Sequence, residues 1–548
     1  MSVVTVTVSS NGAPISPEIE LLAVHTRREL NKLPSARLSF IDGDVANRKF
    51  PLSDAATFAP GAEIEIKARW EDKPSSEAMI FKGKVVRHSL EASNRGCLLH
   101  IELKDKAILM TRGRKNAVRQ DISDADNFSR LVSDAGLTAG TVEATTHKHK
   151  SLVQYQCTDW DFMLSRAQAL GRQVLVVDGA VSVRAPSLSG PAKLKLEFGL
   201  GEIYDWDLEF DAADQTPGID AQGWDEANQA ALSATGKAKA EPAQGKLKGA
   251  AAASSLALAK RTLAQFAQMA QTELQEWADG QLTRSRMAML RGSVSLLGTG
   301  KLLPLDIVEL AGMGLRFNGR ALVSGVAHRI EEGNWVTDLQ LGLGAGSLIA
   351  DAAASAAPAA ALLPAVSGLQ IGIVASVQDD PDKAMRVSLN LPMLGADAAP
   401  VWARWAFPDA GNARGMVFWP EVGDEVVVGF FNDDPRQPVV LGGLYSAKNP
   451  PHAPYDQPQD KNVAKGWFTK AGNEIGFIDG DKPQIFIRTP AKREILLDDD
   501  GKQIKLSDAD GNSLVMDSNG ITLKSSKDFK VDAASGDVEI KGSKIDFQ

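Results

Sequence analysis

The chain has 548 residues, of which 44% are hydrophobic and 24% charged, and its formal net charge is -9 at pH 7. This composition is typical of globular proteins, and at roughly 150 residues per domain the length predicts about three or four domains. The acidic balance argues against a protein that mainly coats nucleic acid or anionic lipid. The two cysteines, Cys97 and Cys157, are too few for a disulfide framework and suit assembly in a reducing cytoplasm.

The N-terminal residues alternate between apolar and polar side chains, with no basic region followed by an apolar one. This pattern predicts a strand rather than a signal peptide. The most apolar long stretch, residues 249–266, is alanine-rich and contains Lys260 and Arg261, so we expect no transmembrane helix. We therefore expect the protein to be made and assembled in the cytoplasm and to leave the cell only if something else carries it.

Residues 1–350 form the first predicted unit, a base of β-barrels. Up to about Lys104 the sequence predicts short strands, including Ser35–Ile41 and Glu63–Trp70, which are separated by Asp-Gly, Pro-Gly and Asn-Arg-Gly turns. Strand patterns resume after residue 293. The base is therefore expected to be mainly β.

Two helical insertions are expected in this base, at about 121–171 and 225–290. In the first, a helix should cover residues 159–170 and stop at Gly171, which occupies the position of a C-terminal cap. In the second, four apolar residues recur at helical spacing and predict a helix. They are Leu263, Phe266, Met269 and Ala270.

Residues 351–369 are mostly Ala, Pro, Ser and Leu, a composition that predicts a linker. In residues 370–447, short strands follow one another closely, and a small closed barrel of the OB type is the leading candidate. The expected strands are residues 370–377, 385–392, 401–406, 415–420, 425–431 and 439–445.

An OB-fold suggests nucleic-acid binding, but the charge of this segment argues against it. Residues 370–447 contain five Lys and Arg residues against ten Asp and Glu residues, whereas a groove that follows a phosphate backbone needs the opposite sign. Four aromatic residues are present that stack on bases in some proteins. We expect them instead to pack in the core or between subunits. They are Trp402, Trp405, Phe418 and Trp419.

After a Pro-rich connector at residues 448–466, residues 467–548 contain pairs of apolar residues separated by one residue. Each pair predicts a strand too short to bury its own apolar face, and no helix or second sheet is predicted to cover it. Three chains wound about one axis would solve this problem; a single-chain solenoid is the alternative, although its repeats are usually longer. The pairs are Ile485/Ile487, Ile504/Leu506, Leu514/Met516, Ile521/Leu523, Phe529/Val531, Val538/Ile540 and Ile545/Phe547.

The sequence contains no Walker loop, Gly-x-Ser-x-Gly elbow, His-Glu-x-x-His or Cys-x-x-Cys motif, so no catalytic residue is predicted. His147 and His149, with Cys157 and Asp159 nearby, come closest to a metal cluster, because alternate residues of a strand share a face. A solvated loop at residues 145–150 is the simpler interpretation. We therefore predict no metal and no cofactor.

Two stretches carry a resemblance to VgrG spike proteins. Residues 154–171, which begin Gln-Tyr, continue Asp-Trp-Asp-Phe and end in Gly, resemble the hub motif of that family. Residues 372–445, with Arg-Val-Ser-Leu-Asn-Leu-Pro at 386–392 and Pro-Glu-Val-Gly-Asp-Glu-Val-Val-Val-Gly-Phe at 420–430, resemble its spike-base OB domain. The opening, including Leu-Pro-Ser-Ala-Arg-Leu-Ser-Phe-Ile-Asp-Gly-Asp at 33–44, is most similar to spikes of extracellular, phage-tail-like particles, with type VI secretion as the alternative.

The resemblance implies a fold that is mainly β with an α+β hub: tail-hub barrels, an OB-fold collar and a C-terminal intertwined triple-stranded β-prism in a homotrimer. It implies a non-enzymatic central spike that connects inner tube and baseplate proteins to a PAAR-repeat tip, carries effector toxins and transiently contacts the target membrane. About nine strand layers would give a needle on the order of 40 Å long. A peptidoglycan-cleaving spike and an OB-type nucleic-acid binder are the alternatives.

The end of the chain is the predicted docking site for the tip. Three copies of the last strands should leave open strand edges and exposed apolar side chains, which proteins normally cover. We expect a PAAR-like protein to dock on Ile545, Asp546, Phe547 and Gln548. A frayed, solvated terminus is the simpler alternative.

Overall fold

The computed structural model describes residues 3–44, 46–93, 96–200, 203–225, 228–242, 244–344, 346, 358–361, 364–395, 397–456 and 460–547. The chain divides into two compact units, Met1–Ala357 and Pro358–Gln548. Among the described residues, no helix has the length and apolar character needed to cross a bilayer.

A thirteen-stranded sheet dominates the first unit. Its strand order is β14-β18-β21-β20-β3-β4-β7-β6-β5-β1-β2, while β19 pairs with β20 and β13 pairs with β19. The strands of this sheet are β1 (Val4–Ser10), β2 (Ala13–Pro14), β3 (Leu21–Glu29), β4 (Ser35–Ile41), β5 (Glu63–Trp70), β6 (Lys73–Ser93), β7 (Gly96–Lys104), β13 (Leu194–Glu197), β14 (Ile203–Phe210), β18 (Leu290–Leu297), β19 (Ile307–Ala311), β20 (Gly319–Glu331) and β21 (Asn334–Leu341).

Smaller sheets and the helices belong to the same unit. Strand β8 pairs with β10, β12 lies between β11 and β9, and β15 lies between β16 and β17. These strands are β8 (Lys115–Ser123), β9 (Thr138–Val142), β10 (Lys148–Cys157), β11 (Gln173–Val177), β12 (Ala180–Arg184), β15 (Ile219–Asp225), β16 (Ala230–Thr235) and β17 (Arg261–Gln268). The α-helices are α1 (Pro51–Asp54), α2 (Asp124–Asp134), α3 (Asp159–Ala169), α4 (Gly249–Ser255), α5 (Gln271–Met287) and α6 (Gly314–Phe317).

Strict alternation of apolar and polar residues explains the large sheet. In β5 every second residue is buried, because successive side chains of a strand point to opposite faces. Ile64, Ile66 and Phe40 are fully buried together with Trp335 of β21. The strands predicted at Ser35–Ile41 and Glu63–Trp70 are confirmed with the same bounds.

The helix predicted from Leu263, Phe266, Met269 and Ala270 is wrong. Residues 261–268 form β17, which pairs in parallel with β15, and the helix α5 begins only at Gln271. Leu263 and Met269 pack against the buried Leu274 of α5, and the side chain of Phe266 lies outside the described part of the structure. Pairing with β15 outweighs the helical spacing, because tertiary contacts override local propensity in short segments.

The helix predicted at residues 159–170 is confirmed as α3, Asp159–Ala169. Its Thr158 cap accepts a hydrogen bond from the backbone N–H of Asp161, and Gly171 follows the helix with a φ of 65°. A Cβ atom at Gly171 would lie 2.4 Å from the Cα of Gly280 in α5. The end of α3 therefore packs backbone against backbone on α5.

The first part of the second unit is a closed five-stranded barrel, with the strand order β22-β23-β24-β28-β27. Its strands are β22 (Gln370–Ser376), β23 (Arg386–Asn390), β24 (Val401–Trp405), β27 (Glu425–Phe430) and β28 (Pro438–Gly443). The strand predicted at 415–420 is wrong: only the short hairpin of β25 (Ala410–Gly411) and β26 (Arg414–Gly415) forms. The apolar side chains after it are exposed, with Val417 at 63%, and no neighbouring strand pairs with them among the described residues.

A seven-stranded antiparallel sheet follows the barrel, and its strands are neighbours in chain order. They are β29 (Ala464–Phe468), β30 (Glu474–Ile478), β31 (Gln484–Arg488), β32 (Glu494–Asp498), β33 (Gln503–Ser507), β34 (Ser513–Asp517) and β35 (Gly520–Lys524). Each strand has five residues.

The predicted linker, residues 351–369, contains the division between the two units. Residues 351–357, 362 and 363 of this linker lie outside the described residues. Pro358–Ala361 forms a 3-10 turn of helix. The predicted domain bounds stay predictions.

Replacing Gly280 by alanine should destabilise the first unit. The new Cβ would lie 2.5 Å from the backbone N of Gly171, and a backbone contact has little room to give. We expect the free energy of unfolding to fall by about 1–3 kcal/mol, the usual cost of overpacking. Urea unfolding of the full chain measures it. Gly344→Ala is the matched control, because its Cβ would meet no atom within 4 Å, and an equal loss in both variants would contradict the prediction.

Candidate assembly surfaces

The C-terminal sheet carries two apolar ladders on one side. Ile485 lies opposite Leu497 and Ile487 opposite Ile495, and the same register continues through β35. Residues two apart on a strand share a face, so all these side chains point the same way. We call this side the apolar face, and it consists of Ile475, Phe477, Ile485, Ile487, Ile495, Leu497, Ile504, Leu506, Leu514, Met516, Ile521 and Leu523.

The apolar face is uncovered in the single chain. Ten of its members are large hydrophobic residues with exposures from 39% for Ile475 to 69% for Ile521. Removing the exposed part of each such side chain from water is worth on the order of 1 kcal/mol. Contiguous apolar surface of this kind marks an interaction site.

The opposite side of the sheet is covered by its own side chains. Phe486 and Leu496 are buried there, at 2% and 9% exposure. The guanidinium of Arg488 lies 3.8 Å from the centre of the Phe486 ring, and the Tyr455 hydroxyl donates to Glu474 at 2.7 Å. One side of the sheet is therefore shielded by its own side chains, and the other, the apolar face, is left uncovered.

Beyond Lys524 the described residues form no strand. The sheet of the single chain therefore has seven strands, and the strands predicted at Phe529/Val531, Val538/Ile540 and Ile545/Phe547, which were expected between three chains, stay predictions. A strand needs a neighbour for its backbone hydrogen bonds, and within the described residues no segment of this chain pairs with these. The apolar side chains stay exposed, from 46% for Ile545 to 91% for Phe547.

The predicted docking residues lie at the end of this segment. Ile545 and Phe547 are exposed, and Asp546 pairs with Lys544 on the surface. Gln548 lies outside the described residues. Their role in docking stays a prediction.

Two of the four aromatic residues of the barrel pack in the core, as predicted, and the other two do not. Trp405 and Trp419 pack partly against the barrel core, with Phe407 in ring contact with both. Phe418 is exposed at 52%, and Trp402 lies beside Arg386.

Three arginine residues of the second unit's first part, the barrel segment, form ion pairs with aspartates. Arg386 pairs with Asp380 at 2.6 Å, Arg436 with Asp434 at 2.7 Å and Arg414 with Asp409 at 2.6 Å. The hydrogen bond from Arg386 holds the pKa of Asp380 well below its usual range. Cations that are already paired contribute little to phosphate binding, which agrees with the acidic balance of this segment.

The hub motif of residues 154–171 is a hydrogen-bonded brace. The side chain of Gln154 donates to Asp159 Oδ1 at 3.0 Å and accepts from Arg119 Nη2 at 3.0 Å. Lys115 of β8 forms an ion pair with the other carboxylate oxygen of Asp159. The motif thus ties β10 to the first turn of α3, and its contacts explain why Gln and Asp stand at these spacings.

The predicted solvated loop at residues 145–150 is only partly right: residues 145–147 form no helix or strand, and residues 148–150 begin β10. His149 lies in β10 and is 7% exposed, and its Nε2 is 2.9 Å from Asp124 Oδ2. Cys157 and Asp159 do not join the two histidines: Cys157 packs in the hydrophobic core, and Asp159 belongs to the brace. Pairing of β10 with β8 buries His149 and leaves Lys148 and Lys150 exposed, which the polar composition did not indicate.

Asp124 and Glu273 complete this cluster, although sequence reasoning missed both. Arg166 of α3 donates from Nε to Asp124 at 2.8 Å and from Nη2 to Glu273 at 3.2 Å. Burial would raise the pKa of Asp124, but hydrogen bonds from Arg166 and His149 outweigh it and hold this pKa well below its usual range. Burial also lowers the pKa of His147. Glu273 lies on α5, far along the chain, so no local pattern could have placed it here.

Comparison with known families matches three stretches of the chain. Residues 1–332 match the Alg8 N-terminal domain, and residues 370–445 match the type VI secretion system/phage-baseplate injector OB domain. Residues 484–547, which contain most of the apolar face, match the phage baseplate V C-terminal trimerisation domain.

Curated relatives are similar over shorter stretches. The actin cross-linking toxin VgrG1 of Vibrio cholerae is 31% identical over 149 residues, or 25% of this chain and 13% of the relative. The type VI secretion system spike protein VgrG4b of Pseudomonas aeruginosa is 38% identical over 99 residues, or 17% of this chain and 12% of the relative. The chain thus spans 12–13% of the length of these two relatives.

Solved structures of tail proteins resemble the fold at low identity. A tail protein from Neisseria meningitidis has a TM-score of 0.46 and 13% identity, and the match covers 62% of this chain and 96% of that one. A prophage 43 kDa tail protein from Shewanella oneidensis has a TM-score of 0.45 and 9% identity, with 62% and 98% covered. Because both scores lie below 0.5, family membership rests on the sequence models.

Replacing Ile504 by aspartate should abolish self-association of the chain. Ile504 lies on the apolar face, where a carboxylate from every copy would enter an apolar contact, at a cost of several kcal/mol. Sedimentation velocity at micromolar concentration measures the mass of the particle. Lys505→Asp is the matched control, since this neighbour points to the opposite side and its change in charge is larger. Equal masses for both variants would show that the apolar face is not the contact.

Proposed function

This chain belongs to the family of the Alg8 N-terminal domain and is a VgrG-type spike protein, and on that basis we propose that it is the structural central spike of a contractile injection system. The observation that carries the proposal is the uncovered apolar face of the C-terminal sheet. Most of this face lies in residues 484–547, which match a trimerisation domain. The surface left exposed in the single chain therefore lies in a domain whose family is named for self-association.

Three copies can cover the apolar face, and this number agrees with the match to a trimerisation domain. Each copy supplies one side of a triangular prism, and the three apolar faces close on each other around a common axis. The charged residues of the opposite side, including Glu474, Arg488 and Glu494, then face outward. Seven strands spaced at about 4.7–4.9 Å give roughly 30 Å of needle.

Residues 525–547 extend this needle by pairing between copies. Their apolar residues keep the alternation of the preceding strands, and they have no strand partner among the described residues of their own chain. Backbone N–H and C=O groups that lack a partner within one chain find one in a neighbouring copy. The result is the intertwined, triple-stranded end of the β-prism.

The base and the barrel also have roles in the proposed spike. The base, residues 1–350, contacts inner tube and baseplate proteins, and the barrel forms a collar between base and needle. Sheath contraction drives the assembly forward, so that the stiff prism pierces the target envelope, touches the membrane transiently and delivers effector toxins. The protein is made in the cytoplasm and exported as part of the particle.

The spike acts mechanically and not as an enzyme. Between the barrel strand β28 and the sheet strand β29 lie only residues 444–463, which is too short a segment for a catalytic domain. The Vibrio cholerae relative is named a toxin, but its match covers 25% of this chain, and its activity is not carried over.

Purified spike should release no soluble sugar fragments from peptidoglycan. The reason is the short segment between barrel and needle, which leaves no room for an inserted hydrolase. Sugar release from purified peptidoglycan, compared with a lysozyme standard, measures this. Release that co-elutes with the trimer through size exclusion would favour the peptidoglycan-cleaving alternative instead.

Deleting residues 544–548 should abolish binding of a PAAR-repeat tip protein while leaving the trimer intact. Ile545, Asp546, Phe547 and Gln548 would form the three-fold end, and exposed apolar side chains at open strand edges need a cover. A pull-down with the tip protein measures binding, and sedimentation measures the trimer. Lys541→Ala changes an exposed residue just upstream and serves as the control. Undiminished capture by the shortened chain would place the docking surface elsewhere.

A further inference from the structure

Two histidines and a carboxylate converge in the base, where strand β10 meets helix α5. The rings of His147 and His149 are nearly perpendicular, with centroids 4.5 Å apart. One nitrogen of each ring and one carboxylate oxygen of Glu273 all lie within 4.8 Å of one another. His149 is buried, and the side chains of His147 and Glu273 are 14% and 21% exposed. The cluster is thus largely shielded from solvent but reachable.

In each of the two histidine rings, hydrogen bonding can assign the proton to one nitrogen, which leaves a lone pair on the other nitrogen. We assign the proton of His149 to Nε2, where Asp124 Oδ2 accepts it at 2.9 Å, so that Nδ1 carries the lone pair. A carboxylate that holds the outer N–H of a histidine in this way is the usual support of a metal ligand. Arg166 Nη2 is 3.1 Å from the same Nε2; because a guanidinium only donates, this contact is not a hydrogen bond when Nε2 carries the proton.

His147 is arranged in a similar way. Its Nδ1 lies 3.1 Å from the Thr272 hydroxyl, and its Nε2 lies 3.7 Å from Glu273 Oε2. When Nδ1 donates to Thr272, the lone pair of Nε2 faces a carboxylate oxygen with no hydrogen between them. Such a pair repels unless a cation lies between the two atoms.

Glu276 supplies an independent sign that something is bound here. It lies one turn beyond Glu273 on the same side of α5, and it is 9% exposed. Its Oε1 accepts from the backbone N and the hydroxyl of Thr146, at 3.1 and 2.7 Å. Its buried Oε2 has no hydrogen-bond partner among the described residues, and a carboxylate oxygen buried in this way calls for an explanation.

The charges also leave room for a cation. Asp124, Glu273 and Glu276 bring three carboxylates to this junction, and the guanidinium in contact with the first two is that of Arg166. Arg166 uses Oε1 of Glu273 and leaves Oε2 toward His147. A divalent ion would balance the remaining charge.

We propose that His147, His149 and Glu273 bind a divalent transition-metal ion, with Zn²⁺ as the best match. Two imidazole nitrogens and a carboxylate are a donor set that suits zinc. The ion would join β10 to α5 and so fix the α5 insertion to the rest of the base.

Zinc titration of the full chain tests this proposal. The protein is purified without a histidine tag, stripped with EDTA and titrated with Zn²⁺ alone by calorimetry, and Co²⁺ is then added to record visible absorption bands. We expect one saturable site per chain and cobalt bands typical of nitrogen and oxygen ligands. Absence of a saturable site, with no change in melting temperature on EDTA treatment, would overturn the proposal.

Ligand variants locate the site. Glu273→Gln keeps an oxygen for Arg166 but loses the charge, and we expect it to weaken zinc binding more than about tenfold, since even loss of an outer partner costs 10–100-fold. His147→Gln should do the same. His25→Gln is the control, because His25 pairs with Glu331 on the surface. If His147 is instead protonated and pairs with Glu273, all three variants will bind zinc equally, and the proposal fails.

Discussion

A strand of five residues buries one side chain or two on each face, and this limit governs the whole C-terminal sheet. The seven strands from Ala464 to Lys524 form backbone hydrogen bonds with one another, but their apolar face is exposed in the single chain. On the other side, long polar side chains lie over Phe486 and Leu496, so a single sheet can shield one face by itself. It cannot shield both, and the second face makes association a requirement of folding rather than an addition to it.

The base follows the opposite rule. Its large sheet is closed off by its own cores, in which Phe40, Ile64 and Trp335 are fully buried, and the hub motif joins β10 to α3 through side-chain hydrogen bonds. The polar residues of the hub motif are held by partners from the same chain. The base, like the barrel, therefore closes its core within one chain, whereas the apolar face of the C-terminal sheet is left uncovered there.

Local signals predicted a large part of this structure. The helix α3 follows from a Thr cap, a helical apolar pattern and the final Gly171, and the apolar ladders follow from alternation alone. The helical prediction for residues 261–268 is wrong. Apolar residues three positions apart fit a helix, but pairing with β15 makes this segment a strand. The alternation of His147 and His149 is visible in the sequence, but their partners are not: Asp124, Arg166 and Glu273 come from three separate helices, and only tertiary packing brings them together.

The unpaired segment after Lys524 also affects how the particle is made. A strand whose partners belong to other copies orders only when those copies meet, so its folding depends on protein concentration and on the simultaneous presence of all partners. Until those copies meet, this segment offers open backbone and apolar side chains to any neighbour. The concentration of free chains thereby becomes part of the folding pathway.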